Sequence, residues 1–349
     1  MDYGWDEARE HAFAPHRDAG LVPARIVRSE RGSCEAVTDA GFVRAEIPGT
    51  AGGPLSPPCA GDWAALHPAT TTHGPVLHAV LERRTALVRS TASRTSRGQV
   101  LAANIDTVVV TVSLGTALKH GRTERMLALA WESGAQPVVV LTKADQCADV
   151  QLAAAEVSEV APGAEVVVTS AVTGLGLAAL RTVLNGTIVL LGPSGAGKST
   201  LGNQLLGEDR LATGAVRDVD GKGRHTTAWR ELVPLPGGGV LLDTPGLRAI
   251  GLHDAQDGLE QTFAEIEDLA QSCRFTDCAH VSEPGCAVLA AVAAGKVPQR
   301  RLDSYRQLLR ENAYAASRTD AQLRADREAA KKDITRHLRA TYQFRERQQ

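Results

Sequence analysis

The sequence predicts three domains of different class: a small antiparallel β-barrel, a doubly wound α/β domain, and a helical domain closed around a cysteine–histidine cluster. Three observations carry this. Short β-like runs broken by turn residues fill residues 21–82, and strands alternate with helices over 101–255 around the glycine-rich loop Gly192–Thr200. Cys273, Cys278, His280 and Cys286 then fall together in the otherwise helical stretch 256–349. A chain of 349 residues is also too long for one ordinary core.

Residues 1–20 are polar and irregular in pattern, and read as a mobile tail. The runs Ala24–Arg28, Ser33–Thr38, Phe42–Ile47, Asp62–Leu66 and Pro75–Leu81 follow, separated by Arg31-Gly32, Asp39-Ala40-Gly41 and the Pro/Gly-rich stretch Pro48–Pro58. Five short strands without a helix make an OB-like barrel. Residues 83–100 are rich in Arg, Ser and Thr and read as an exposed basic linker.

From Asn104 the pattern changes. Thr107–Val112, Pro137–Leu141, Glu165–Val168 and Thr187–Leu191 are Val/Ile/Leu runs of the kind buried on both faces of a parallel sheet. Helical stretches lie between them at Arg122–Ser133, Val150–Val160 and Leu177–Leu184. The helical run Thr200–Leu206 and the strands Arg230–Leu235 and Gly239–Leu242 complete a doubly wound α/β domain.

Composition sets outer limits. The longest apolar run, Ala287–Ala294, is far short of the ~20 residues that span a bilayer. The first residues include Asp2, Asp6 and Glu7 and lack a basic start followed by an apolar stretch. No secretory signal is read there, so a cytoplasmic protein without a membrane partner is expected. Cys34, Cys59 and Cys147 are scattered and read as small buried hydrophobes, not a disulfide framework.

The net charge of −2 hides an asymmetry. Arg83, Arg84, Arg89, Arg94 and Arg97 occur with no acid before Asp106, and Lys296–Gln349 holds 14 Lys/Arg against 7 Asp/Glu. Between Gln256 and Ala287 the balance reverses, with seven acids against one Arg. Charge segregated in this way suits contact with a polyanion on chosen faces.

Gly192-Pro193-Ser194-Gly195-Ala196-Gly197-Lys198-Ser199 fits G-x4-G-K-[ST], between a strand and a helix beginning near Thr200. Its glycines let backbone N–H groups turn inward around phosphate oxygens at a helix N-terminus. Lys198 is placed to reach β and γ phosphates, and the Ser199 hydroxyl to bind Mg²⁺. Asp243 ends a strand where its carboxylate would lie near that ion, and Gly246 offers an N–H to a γ-phosphate. Thr142-Lys143-Ala144-Asp145 follows another strand, where ligands bind in open α/β sheets. Asp145 can accept from guanine N1–H and N2–H₂, Lys143 can lie along the base, and the Ser170-Ala171 backbone can contact the guanine carbonyl.

The cluster Cys273-x4-Cys278-x-His280-x5-Cys286 supplies three thiolates and an imidazole, the ligand set of a closed tetrahedral zinc site. Four protein ligands leave no position for water. One structural zinc per chain, holding together a helical domain, is expected.

These motifs stand in an unusual order, with the base-reading segments before the phosphate loop and Asp243–Gly246 after it. Together with Gly223-Arg224-His225-Thr226-Thr227 and the opening phrase Ala103-Asn104-Ile105-Asp106, that order resembles the circularly permuted ribosome small-subunit-dependent GTPases, the RsgA type. The resemblance covers roughly residues 20–345 and includes the spacing of the cysteine cluster. It implies a Mg²⁺-dependent GTPase, binding GTP and GDP, with a circularly permuted P-loop domain between an OB-like barrel and a zinc-binding domain. It further implies a monomer that binds the 30S subunit and 16S rRNA, is stimulated by the subunit and acts late in its maturation.

Carried over, Gly223–Thr227 is switch I, with Thr226 or Thr227 as ligand to Mg²⁺. His225 takes the catalytic place that Leu247 cannot fill, since an aliphatic side chain cannot polarise water. One position departs from the usual pattern: Thr142 stands where Asn would link base and phosphate loop, and its single hydroxyl can keep only part of that link. Two other readings are a nucleotide-gated RNA-binding module with negligible hydrolysis and a P-loop ATPase or kinase. Lys143 and Asp145 speak against the latter.

Overall fold

Helix α1 (Glu7–Asp18) occupies the stretch expected to be a mobile tail. Asp6 caps it by accepting from the Arg9 amide, and acids in its first turn with His16 and Arg17 in its last complement the helix dipole. Phe13 is fully buried and Arg9 nearly so. One buried ring and one cap order a helix whose polar composition conceals it. The computed structural model describes residues 3–49, 57–89, 99–211, 231–243 and 255–319.

The barrel follows as β1 (Val22–Ser29), β2 (Ser33–Thr38), β3 (Gly41–Glu46), β4 (Trp63–His67) and β5 (Val76–Val80). It closes in the order β1-β2-β3-β5-β4. All pairings are antiparallel except the short parallel contact of β3 with β5. Ile26, Ala36, Ala45, Leu66 and Leu77 fill its interior.

The expected linker is a second correction. β6 (Ala86–Arg89) and β7 (Gln99–Ala103) pair as an antiparallel ribbon whose Leu87 and Leu101 are buried in the main core. Arg83 forms a two-toothed pair with the fully buried Asp62 carboxylate, at 2.7 and 2.8 Å. Arg84 pairs with Asp6. These two cations are therefore spent on internal partners. Arg94 and Arg97 lie outside the described residues.

The α/β domain runs β8 (Thr107–Ser113), α2 (His120–Glu132), β9 (Gln136–Thr142), α3 (Val150–Val160), β10 (Glu165–Val168), α4 (Leu177–Val183), β11 (Thr187–Leu191), α5 (Lys198–Leu206), β12 (Glu231–Pro234) and β13 (Val240–Asp243). The sheet order is β10-β9-β8-β11-β13-β12, parallel throughout except for the antiparallel edge β12. The first strand of the domain, β8, thus lies between the strand that leads to the base motif and the strand that leads to the phosphate loop. Val109, Val140 and Val189 have no exposed surface, as strands covered on both faces require.

Arg25 of β1 ties the barrel to this domain. Its guanidinium donates to the carbonyls of Tyr3 and Asn104 and to the Thr187 hydroxyl at the start of β11. It also lies 4.7 Å from the centre of the Trp63 ring. Burial, with repulsion from the Arg9 guanidinium, pushes its pKa down to about 9.

The C-terminal domain comprises α6 (Gln256–Thr262), α7 (Ala264–Ala270), α8 (Ala287–Ala293) and α9 (Gln299–Thr319). Helix α6 lies against α2 so closely that a Cβ on Gly258 would stand 2.1 Å from the Ala128 carbonyl oxygen. The fully buried Glu124 of α2 receives Arg300 at 3.0 Å and Arg301 at 2.9 Å from α9. Arg301 also pairs with Glu265 and donates to the Thr262 carbonyl. No described helix is long and apolar enough to cross a membrane.

Candidate nucleotide site and metal centre

The phosphate loop begins where β11 runs out of room. A Cβ at Gly192 would meet the Thr111 hydroxyl at 2.0 Å, so only glycine fits beside the neighbouring strand. Gly195 and Gly197 take φ of +78° and +85°, and the left-handed turn at Gly197 starts α5. Ser199 and Thr200 stand in the first turn of that helix, whose leading N–H groups have no acceptor within it. Lys198 Nζ donates to the Gly192 and Pro193 carbonyls, each at 2.7 Å, which holds the ammonium over the loop.

The base-side segments come from the next strand ends. Thr142 closes β9, and its buried hydroxyl donates to the Ala196 carbonyl of the phosphate loop at 2.7 Å. That bond ties the end of β9 to the phosphate-loop segment. Lys143 is left-handed, with φ of +60°, and the 3₁₀ turn Ala144–Gln146 then presents Asp145. Ser170 donates its hydroxyl to one Asp145 carboxylate oxygen, and the Thr169 carbonyl accepts from the Ala144 amide at 3.1 Å. The two base-side loops thus brace each other.

A cleft of about 180 Å³ joins these pieces. Thr142, Lys143, Asp145, Thr169 and Ala171 line one side and Gly197 and Thr200 the other. Gln146, Val172 and Leu201 complete the wall and were not foreseen from sequence. Their position next to motif residues is the signal that could have found them. Val172 is 82% exposed, which places it at the rim. His225, Thr226, Thr227, Gly246 and Leu247 lie outside the described residues. Asp243 ends β13, paired through its backbone with Glu231.

The cysteine cluster is assembled by a tight loop between α7 and α8. His280 is left-handed at φ +56°, and Gly285 follows at +77°. The Glu283 carboxylate accepts from the amides of Ala279, Val281 and Ser282. These backbone donors, its own amide first, hold its pKa near 2. The four ligand atoms lie within 4.8 Å of one another. Cys273 Sγ is 3.8 Å from Cys286 Sγ, while His280 Nδ1 is 3.6 Å from Cys273 Sγ and 3.4 Å from Cys286 Sγ. Metal–sulfur and metal–nitrogen bonds of ~2.3 and ~2.05 Å at tetrahedral angles require about 3.8 Å between sulfurs and about 3.6 Å from sulfur to nitrogen. The donor set therefore fits a four-coordinate metal. Burial holds the His280 pKa below its usual value, which favours the neutral, ligating imidazole.

Comparison with known proteins agrees with this geometry. Residues 80–253 match the family described as RsgA GTPase. The small ribosomal subunit biogenesis GTPase RsgA of Streptomyces avermitilis is 56% identical over 93% of this chain and 89% of its own length. Among solved structures, YjeQ from Thermotoga maritima superposes with a TM-score of 0.62 at 24% identity, covering 83% of this chain and 98% of that one. YloQ, titled a circularly permuted GTPase, superposes with a TM-score of 0.59 at 22% identity, covering 83% and 94%.

Proposed function

Because the chain belongs to the RsgA GTPase family, and is therefore a GTP hydrolase, we propose that it binds the 30S ribosomal subunit, is stimulated by it, and acts late in small-subunit maturation. The observation that carries the nucleotide reading is one cleft lined by Thr142, Lys143, Asp145, Thr169 and Ala171 on one side and by Gly197 and Thr200 of the phosphate-loop segment on the other. Guanine would be read by Asp145, held in place by the Ser170 hydroxyl, and Lys143 would lie along the ring. On binding, Lys198 would exchange its two loop carbonyls for phosphate oxygens.

Ser199, Asp243 and one of Thr226 and Thr227 would hold Mg²⁺, which neutralises phosphate charge when bound. His225 would orient the attacking water, and Leu247 cannot. Cys273, Cys278, His280 and Cys286 would hold one structural zinc, the metal suited to a closed Cys₃His set. We place the protein in the cytoplasm as a monomer. Contacts to 16S rRNA would come from basic residues outside the internal pairs, since Arg83, Arg84, Arg300 and Arg301 already hold carboxylates.

The test is multiple-turnover phosphate release from GTP against added 30S subunit. The reading expects a rise that saturates with subunit and is lost in His225→Ala. A rate unchanged by 30S would refute the ribosomal assignment, and equal competition by ATP would refute the guanine assignment.

A further inference from the structure

Three histidines from three elements meet on the outer face of the barrel, away from both sites described above. They are His16 in the last turn of α1, His67 at the end of β4, and His78 in β5. His78 is there because of a bulge: Ala65 pairs with Ala79 and Leu66 with Leu77, which leaves His78 as the extra residue on its strand. A bulge of this kind re-aims a side chain. The ring of His78 stands edge-on to that of His67, with centroids 4.9 Å apart and planes at 88°.

His78 Nδ1 and His67 Nε2 are 3.2 Å apart. Only one proton fits between two such nitrogens, so at least one presents a bare lone pair to the other. An ion bound tetrahedrally by both, at the ~2.0–2.1 Å of metal–imidazole bonds, needs about 3.3 Å between the nitrogens and about 5 Å between ring centroids. The pair already meets both values. The His16 ring lies 6.0 Å from that of His78, about 1 Å beyond the spacing a shared ion requires. Phe13, fully buried beneath α1 and 5.6 Å from the His16 ring, fixes that helix against the barrel.

We propose that His67, His78 and His16 form a second transition-metal site, taking a borderline divalent ion of the Zn²⁺, Ni²⁺ or Cu²⁺ class. Imidazole nitrogen is the donor such ions favour. His67 and His78 supply the bite, His16 closes a third position by a small rotation, and water fills the rest. The site is distinct from the Cys₃His cluster in residues, ligand type and accessibility, for His67 and His78 are both exposed.

The test is calorimetric titration of untagged full-length protein with Zn²⁺, comparing stoichiometry between variants. The unmodified chain should take one equivalent more than His67→Ala or His78→Ala. His16→Ala should keep that equivalent with at least about tenfold weaker affinity, the low end of what losing even a hydrogen-bond partner of a ligand costs. His73→Ala should change nothing, since His73 is held by Thr72 at 2.8 Å. GTP turnover equal to that of the unmodified chain in each variant reports an intact fold. Equal stoichiometry in the unmodified chain and in His67→Ala and His78→Ala would overturn the proposal, whatever the Cys₃His cluster binds.

Discussion

The candidate nucleotide cleft takes its walls from residues 142–146, 169–172 and 197–201, brought together by β9, β10 and β11, while the candidate metal centre takes all four donors from residues 273–286. The cleft therefore rests on a sheet whose strands are buried on both faces, and its loops bond to one another across long sequence separations. The candidate metal loop draws its four donors from one short segment, with Cys286 in the main core and Cys273 and Cys278 packed against it. One site is positioned by a sheet, and the other, on the proposed reading, would be held together by its own ion.

The largest expected effect tests the second half of that contrast. If the cluster holds the proposed structural zinc, Cys278→Ser or a chelator should forfeit much of the ~10–16 kcal/mol that such an ion contributes. Limited proteolysis should then cut within residues 255–319. Nucleotide affinity should stay within about threefold, as for independent sites. An equal collapse of nucleotide binding would show that the two regions fold as one.

Next is the phosphate loop. Lys198→Ala should lower GTP turnover on the order of 10³-fold, by analogy with loss of one preorganised charge-stabilising donor. Its ammonium donates to the Gly192 and Pro193 carbonyls of the loop, so turnover should fall far more than thermal stability.

The joint between the regions comes third. Glu124→Ala removes the buried carboxylate that receives Arg300 and Arg301, and should cost about 3 kcal/mol in urea unfolding. A second, earlier transition would mean that Glu124 carries the coupling of α2 to α9.

Thr142→Val is subtler. It deletes the hydroxyl bonded to the Ala196 carbonyl, and a loss of about 1 kcal/mol should weaken GTP binding roughly five- to tenfold. Unchanged affinity would mean that the loop needs no tie from β9.

The smallest effect lies at the N-terminus. Hydrogen bonding from Arg84, aided by the Arg9 amide against some burial, lowers the Asp6 pKa from 3.8 to about 2. A depressed carboxylate stabilises the fold above its unfolded pKa and loses that contribution as pH falls from about 4 to about 2. Asp6 is 46% exposed, so solvent screening leaves at most about 1 kcal/mol. Amide exchange in α1 should quicken over that pH range, and Asp6→Asn should remove the dependence.

Much of both sites was legible in the sequence because their residue types are tied to local geometry. Gly192 has no alternative beside Thr111, and four soft or imidazole donors within one loop have few other uses. The OB-like strands and the alternating α/β strands were legible from periodicity. Gln146, Val172 and Leu201 were not, because a lining side chain needs no special chemistry, only the right strand end.

What the sequence supplied by itself is the candidate inventory: the segments expected to hold phosphate, guanine and a metal, and their permuted order. Tertiary structure decided where the charges go and how the domains join. The basic stretch at Arg83-Arg84 looks free along the chain, yet it closes on Asp62 and Asp6. The C-terminal domain follows Asp243–Gly246 in sequence but rests on α2 through Gly258 and Glu124. The physical reason is common to these cases. An ion pair or a helix contact depends on which faces meet once apolar surface is buried, and neighbours along the chain do not fix that.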